Sequence, residues 1–168
     1  MKEKEYNEYN KEYNLERFVE AQNEYGTYEL ALNEIKAGRK RSHWIWFIFP
    51  QLKGLGSSYN AQYYGIEDSN EAKEYLEHPV LGPRLLEISE ALLKLQENDP
   101  AVVMGGSPDD MKLKSSMTLF AAVSEAVSEA VSEVASTHDS VFHRVLEKFF
   151  GGKMDEKTLK ILRCVRGE

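Results

Sequence analysis

The segment from Ile35 to Ile66 contains no Asp or Glu, although the whole chain has 28 of these acids and a net charge of −7. The residues of this segment that suit an anionic ligand are Lys36, Arg39, Lys40, Arg41, Ser42, His43, Trp44, Trp46 and Lys53. Arginine donates parallel hydrogen bonds to phosphate, a helix start presents backbone N–H groups, and aromatic rings stack on bases. The segment therefore predicts a positively charged concavity that attracts a nucleotide or a phosphorylated metabolite.

A second group of candidate residues lies on the helix that the sequence predicts after Ser107. Lys112, Ser115 and Ser116 have the spacing i, i+3 and i+4, which places a lysine and two hydroxyls on one helix face. We expect both groups to converge on one pocket, in which His43 is the candidate general acid or base. The predicted ligand-binding residues are Arg39, Lys40, Arg41, Ser42, Trp44, Lys112, Ser115, Ser116 and Thr118.

Each of these features also has a purely structural interpretation. The cations at 39–41 follow a predicted helix, and positive charge complements the negative end of a helix. The aromatic residues of 44–49 suit core positions, and the two serines can bond back to helix carbonyls while Lys112 is solvated. The sequence leaves both interpretations open.

Several kinds of site are excluded by the motifs that the chain lacks. The glycines of 54–56 belong neither to a Walker P-loop nor to a dinucleotide fingerprint. His138 and His143 are five residues apart, which does not place two metal ligands on one helix face. Cys164 is the only cysteine, and we interpret it as a small core residue. We therefore expect no metal and no cofactor.

The composition is that of a globular protein of one domain, with 42% hydrophobic and 29% charged residues among 168. The longest apolar run, Trp44–Pro50, is far shorter than a membrane span needs. The excess of Asp and Glu over Lys and Arg argues against DNA and anionic membranes as partners, because binding to either depends on Lys and Arg. No signal peptide is visible, so we expect a cytoplasmic location. The oligomeric state is not predicted.

Apolar periodicity predicts an all-α fold, a single compact domain of about seven to nine helices with no substantial sheet. The clearest stripe is Leu81, Leu85, Ile88, Leu92 and Leu95, at alternating spacings of four and three. The predicted helix starts are Asn14, Thr27, Ser69, Pro79, Ser107-Pro108 and Asp155, and the predicted stops are Gly38 and Gly151-Gly152. The ambiguous stretch 43–49 is interpreted as a short, fully buried helix or an extended plug, because no partner strand is available.

Two repeats mark the edges of the predicted domain. Residues 1–14 contain the triplet Glu-Tyr-Asn three times and are predicted to be a flexible, low-complexity lead-in. Residues 15–168 form the predicted domain. Within it, 123–137 repeats Val-Ser-Glu-Ala and is interpreted as an insertion that lengthens a helix or the loop after it.

Six segments match a known sequence pattern, namely 17–22, 38–56, 78–85, 107–120, 149–152 and 158–159. In these segments the chain resembles an uncharacterised, mostly bacterial family, the domain of unknown function eighteen-ten, whose members sometimes carry the label calpastatin. The resemblance extends from Leu15 to about Val165. It implies an all-helical single domain and implies no established reaction.

Three functions follow from these observations. The first is binding of an anionic small molecule, with Arg39 and Arg41 as the anion clamp and with catalysis by His43 left open. The second is a non-enzymatic module for protein interaction or homodimerisation, anchored by the aromatic stretch. The third is RNA binding through the basic and aromatic segment.

Overall fold

Helices provide nearly all the regular structure of residues 12–131 and 140–165, which are the residues that this computed structural model describes. In chain order they are α1 (Glu16–Asn23), α2 (Thr27–Lys36), α3 (Ile45–Ile48), α4 (Tyr59–Tyr63), α5 (Ser69–Glu77), α6 (Leu81–Leu93), α7 (Pro100–Val103), α8 (Asp109–Val131), α9 (Val141–Phe150) and α10 (Glu156–Val165). Among these residues seven helices have eight residues or more, while α3, α4 and α7 are single turns. The predicted all-α fold is confirmed.

The core is built from the apolar faces of α6, α8 and α9, against which α2 and α5 also pack. Leu81, Leu85, Ile88 and Leu92 of α6 are buried, as their spacing predicts. Phe120 of α8 lies against the ring of Tyr75 on α5. None of the helices described is long and apolar enough to span a bilayer.

The ambiguous stretch 43–49 forms the short helix α3, which is one of the two predicted alternatives. Ile45 and Ile48 are buried, whereas Trp46 and Phe47 are half-buried, so the stretch is not buried throughout. After α3 the chain pairs briefly with a later loop, where Leu52 and Ile66 form an isolated parallel bridge. This bridge sets the position of the loop at 53–56.

Helix ends follow the predicted chemistry, but several predicted positions are wrong. Asp155 caps α10, and α9 ends at the left-handed Gly151, both as predicted. The cap of α5 is Asp68 rather than Ser69, because the Asp68 carboxylate reaches the N–H of Glu71. Asn14, Thr27 and Pro79 are also wrong: Leu15 is the cap of α1, Thr27 is the first residue of α2, and Pro79 lies two residues before α6. The start predicted at Ser107-Pro108 is shifted, because α8 begins at Asp109 and the Ser107 hydroxyl donates to the carboxylate of Asp110. Cys164 is exposed, so the core prediction for it is wrong.

The edges of the predicted domain are only partly described. The hydroxyl of Tyr13 donates to the carboxylate of Asp68 at 2.7 Å, which attaches the last part of the lead-in to the start of α5. Helix α8 continues through the first part of the Val-Ser-Glu-Ala repeat as far as Val131. The remainder of that repeat, and residues 1–11, lie outside the described residues.

A buried ion pair joins α1 to α5. The guanidinium of Arg17 contacts the Glu71 carboxylate at 2.9 Å, and the two side chains are 8% and 2% exposed. Arg17 also donates to the carbonyl oxygens of Tyr63 and Gly65, at 2.8 Å and 3.1 Å. Glu71 additionally accepts the N–H of Glu67 at 2.8 Å. One arginine therefore connects α1, the loop after α4 and α5.

Gly82 of α6 lies close to the backbone of α5, and replacing it with alanine is expected to cost about 1–3 kcal/mol. A Cβ atom at this position would lie 2.1 Å from the carbonyl oxygen of Leu76, which is backbone and cannot rotate away. Urea denaturation followed by circular dichroism measures the loss. Glu90→Ala, on the exposed face of the same helix, is the control and should change stability by less than about 0.5 kcal/mol. Equal stability of the two variants would contradict the prediction.

Candidate functional site

The loop that carries most of the predicted site residues is anchored on one carboxylate, that of Glu34 on α2. Glu34 accepts the backbone N–H groups of Arg41 and Ser42, at 2.8 Å and 2.9 Å. It also accepts the Ser42 hydroxyl at 2.6 Å and the indole Nε1 of Trp44 at 2.9 Å. The hydroxyl of Ser42 and the indole of Trp44 are therefore already bonded inside the protein.

Glu34 is only 9% exposed, and its environment lowers the pKa of its carboxyl from 4.5 to about 2. Burial alone would raise this pKa, because it penalises the charged form. The hydrogen bonds from Ser42, Arg41 and Trp44 favour the carboxylate and outweigh burial. Glu34 is thus an ionised group at neutral pH that holds the loop 38–44 in place.

Asp109 connects the two predicted groups of site residues. Lys40 is almost fully buried, and its Nζ lies 2.9 Å from Oδ2 of Asp109 and 4.9 Å above the ring of Trp44. Lys112, one turn further along α8, lies 3.7 Å from Oδ1 of the same carboxylate. Lys40 of the first group and Lys112 of the second therefore meet at one carboxylate, which places a single negative charge between two positive charges.

Two buried polar atoms beside this cluster have no hydrogen-bond partner among the described residues. They are Nε1 of Trp46 and Oγ of Ser116. Lys112 lies 5.0 Å above the ring of Trp46, and Ser116 is one helical turn beyond Lys112. A buried donor without a hydrogen-bond partner lowers the free energy of unfolding by about 1–3 kcal/mol, so each of these two atoms destabilises the folded protein.

The remaining hydroxyls of the second group attach α10 to α8. Thr118 donates to the carbonyl of Lys114 and accepts the N–H of Asp155, both at 2.8 Å. Ser115 shares its hydroxyl between the carbonyl of Met111 and the carboxylate of Asp155, each at 3.1 Å. The back-bonding interpretation therefore holds for Ser115 and is wrong for Ser116, whose hydroxyl has no partner among the described residues. Thr118 bonds back to its helix as well.

Arg39, Arg41 and His43 have exposed side chains that project from the anchored loop. Within the described ranges these three side chains make no hydrogen bond or ion pair. They do not line the groove described next, so the structure does not bring them together with Lys112 and Ser115.

A groove of about 920 Å³ lies between the loop at 51–56, the first turns of α8 and the start of α10. We call it the lysine groove, because four lysines line it, namely Lys112, Lys114, Lys153 and Lys157. Its apolar wall consists of Leu55, Met111, Met154 and Leu159. Asp155 and Glu156 also line it, and Asp155 is occupied by its bonds to Ser115 and Thr158.

The lysine groove contains only two of the predicted site residues, Lys112 and Ser115. Lys153 and Lys157 were missed, although they flank the predicted cap Asp155. Neither of them forms an ion pair within the described part of the chain, and Lys114 lies 6.0 Å from the ring centroid of Phe150. No group of three His, Cys, Asp or Glu residues among those described is placed to hold a metal ion.

The fold and the groove define an all-helical, single-domain protein with a lysine-lined surface cleft and an internally anchored basic loop. The family described as "Protein of unknown function (DUF1810)" matches residues 12–162, and the chain belongs to this family. The predicted resemblance is thereby confirmed.

A solved structure is similar to this chain, the conserved hypothetical protein Rv1873 from Mycobacterium tuberculosis, determined by crystallography at 1.38 Å. The two are 43% identical, with 88% of this chain and 95% of that chain covered, and the TM-score is 0.77. No curated protein matches the chain. The family description and the neighbour's title name no ligand or reaction.

Proposed function

We propose that this protein binds an anionic small molecule, a nucleotide or a phosphorylated metabolite, in the lysine groove. The observation that carries the proposal is the clustering of four lysines on one concave surface of a chain whose net charge is −7. Ammonium groups at the rim of a cleft raise the local concentration of anions and bind phosphate as point charges.

The groove also suits the rest of such a ligand. Its volume lies within the range of about 300–1,000 Å³ that is typical of small-molecule sites. The wall formed by Leu55, Met111, Met154 and Leu159 offers an apolar surface to a base or a sugar ring. The aromatic stacking predicted from Trp44 has no counterpart here, because Trp44 is fully buried.

The proposed function is binding, without a reaction at this groove. His43, the acid or base that the sequence suggests, does not line the groove, and neither do Arg39 and Arg41. Three expectations from the sequence stay predictions. They are a role for His43, Arg39 and Arg41, a cytoplasmic location, and the lack of a resident cofactor.

The alternative function, a protein-interaction module, is favoured by a different surface. Tyr59 and Tyr63 stack with their ring centroids 5.8 Å apart and an interplanar angle of 7°, and Tyr59 is 77% exposed. Exposed aromatic side chains are enriched where proteins bind one another. This surface involves α4 and includes none of the residues that line the lysine groove.

Thermal melting in the presence of ATP, ADP-ribose, a sugar phosphate or pyrophosphate tests the proposed function. A ligand at 100 times its Kd adds about 2.7 kcal/mol, which is expected to raise Tm by roughly 5–10 °C. The double variant Lys153→Gln/Lys157→Gln is expected to weaken binding about tenfold or more, because it removes two positive charges of the groove that form no ion pair within the described residues.

Lys160→Gln is the matched control, since Lys160 is exposed on the same helix α10 but does not line the groove. This control should keep the full ligand shift. The absence of a shift with every anion, or an equal shift in the double variant, would contradict the proposal and favour the interaction module.

A further inference from the structure

A serine, a histidine and a glutamate are hydrogen-bonded in series where α9 begins. Oγ of Ser140 lies 2.6 Å from Nδ1 of His143, and Nε2 of His143 lies 2.8 Å from Oε1 of Glu125 on α8. The sequence shows Glu125 and His143 far apart and gives no sign of this contact. Packing of α9 against α8 creates it.

The direction of the hydrogen bonds follows from the chemistry of the three groups. When the imidazole of His143 is neutral, Nε2 carries the hydrogen and donates it to the carboxylate of Glu125, which can only accept. Nδ1 then has the lone pair, and the hydroxyl of Ser140 donates to it. The Ser140 oxygen in turn accepts the backbone N–H of His143 at 3.2 Å. The hydroxyl proton is therefore directed at a base that a carboxylate orients.

We propose that Ser140, His143 and Glu125 form a nucleophilic catalytic centre that hydrolyses carboxylic esters with small acyl groups. An adjacent base that is itself oriented by a third group is the arrangement that activates a serine. The centre is distinct from the lysine groove, because Ser115 and Glu125 are about 15 Å apart along α8. The proposal therefore does not depend on the proposed function.

The first half of the reaction forms an acyl-enzyme. Oγ of Ser140 attacks the carbonyl carbon of the ester while the hydroxyl proton moves to Nδ1 of His143, and Glu125 stabilises the imidazolium. The carbonyl π electrons move onto its oxygen. The N–H groups of Val141 and Phe142 lie in the first turn of α9, where no carbonyl of the helix itself can accept them, and we assign them as the donors to this oxyanion.

Collapse of the tetrahedral intermediate breaks the ester bond. The departing alkoxide takes the proton from Nδ1 and leaves as an alcohol. Water then attacks the acyl carbon, gives its proton to the same nitrogen and releases the carboxylic acid, with the proton returned to Ser140. Atoms and charge balance with water as the co-reactant.

The substrate class follows from access to the nucleophile. Ser140 is half-buried, and the side chain of His143 is 13% exposed. Because both side chains are only partly exposed, the proposed substrates are limited to compact acyl groups. An acetyl ester is therefore the appropriate probe.

A structural role for Ser140 is also present, since its hydroxyl caps α9. To cap the helix, Ser140 needs only an oxygen that accepts the N–H of His143. Capping requires neither the hydrogen bond from its hydroxyl to Nδ1 of His143 nor the contact of that imidazole with Glu125. Asparagine caps a helix as well as serine does but is not a nucleophile. The variant Ser140→Asn therefore separates the two roles.

The test uses a fluorophosphonate probe, which reacts with activated serines, together with hydrolysis of p-nitrophenyl acetate. Cleavage after Glu133 and Glu147 isolates a peptide whose two serines are Ser136 and Ser140, so that mass spectrometry can locate the adduct. We expect labelling at Ser140 and none in Ser140→Asn. Labelling and ester hydrolysis are expected to fall about 100-fold or more in His143→Gln, as is usual when a general base is lost.

Glu125→Gln provides a second variant if His143→Gln does not fold, and a tenfold or larger loss of labelling rate is expected. Ser124→Ala, next to Glu125 on α8, is the control and should be labelled like the parent protein. The proposal is overturned if Ser140 carries no adduct, or if folded His143→Gln or Glu125→Gln reacts as fast as the parent. Retained ester hydrolysis in Ser140→Asn would overturn it equally.

Discussion

An Arg17→Met variant is expected to lose about 3–5 kcal/mol of unfolding free energy, because it leaves a buried carboxylate without its cation. Glu71 is only 2% exposed, and Arg17 is the cation that contacts it in the described residues. The carbonyl oxygens of Tyr63 and Gly65 lose their donor in the same substitution. Urea denaturation followed by circular dichroism at neutral pH measures the difference.

The double variant Arg17→Met/Glu71→Gln identifies the cause of that loss. It removes the orphaned charge but keeps an oxygen for the N–H of Glu67, so it is expected to be more stable than Arg17→Met alone. Arg163→Met, at an exposed position of α10, is the control and should cost less than about 0.5 kcal/mol. A cost below about 1 kcal/mol for Arg17→Met would contradict the interpretation of this pair as a buried ion pair.

The second large effect is expected at Glu34, where substitution by glutamine should cost about 3 kcal/mol at neutral pH. The amide carries no charge and offers one acceptor oxygen instead of two. With that oxygen on the N–H groups of Arg41 and Trp44, the NH₂ group replaces the oxygen that accepts the Ser42 hydroxyl. The hydrogen bonds that remain are no longer charge-assisted and are therefore weaker. Chemical denaturation monitored by tryptophan fluorescence measures the cost, and Glu29→Gln on the exposed face of α2 is the control.

The pH dependence of this effect has a definite sign. The pKa of Glu34 is about 2 in the folded protein and 4.5 without the fold, so the folded state favours the ionised form. Its contribution is therefore fully present above about pH 4.5 and is lost as the pH falls toward about 2; the pKa difference corresponds to about 3 kcal/mol. The stability gap between the parent and Glu34→Gln should be smaller at pH 3 than at pH 7. A gap that is constant with pH would contradict the assignment.

The fold is largely predictable from the sequence because its helices bury continuous apolar stripes. The stripe of α6 is an example, in which spacings of four and three identify the buried face without any knowledge of its partners. Helix ends are less predictable, because neighbouring residues compete as caps. Asp68 and Ser69 are both good N-caps, and only the turn geometry decides that the carboxylate of Asp68 is used.

The site is less predictable, since its contacts join residues that are distant in sequence. The absence of acids from 35–66 is visible, but the carboxylate that organises this segment is Glu34, immediately before it. The lysine groove combines Lys112 with Lys153 and Lys157, and no periodicity relates α8 to the start of α10. The sequence feature that points to this groove is the pair of lysines on either side of Asp155. It becomes informative only when α10 is placed against α8.

The anchoring of the loop 38–44 has a consequence for the entropy of any later binding event. A flexible loop that binds a ligand must lose backbone freedom at that moment, and this loss lowers affinity. Here Glu34 holds the backbone at Arg41 and Ser42 before any ligand binds. The conformational entropy of this loop is therefore lost during folding and does not reduce the affinity for a ligand. Arg39, Arg41 and His43 are consequently presented on a preorganised backbone, and only their side chains have freedom left to lose.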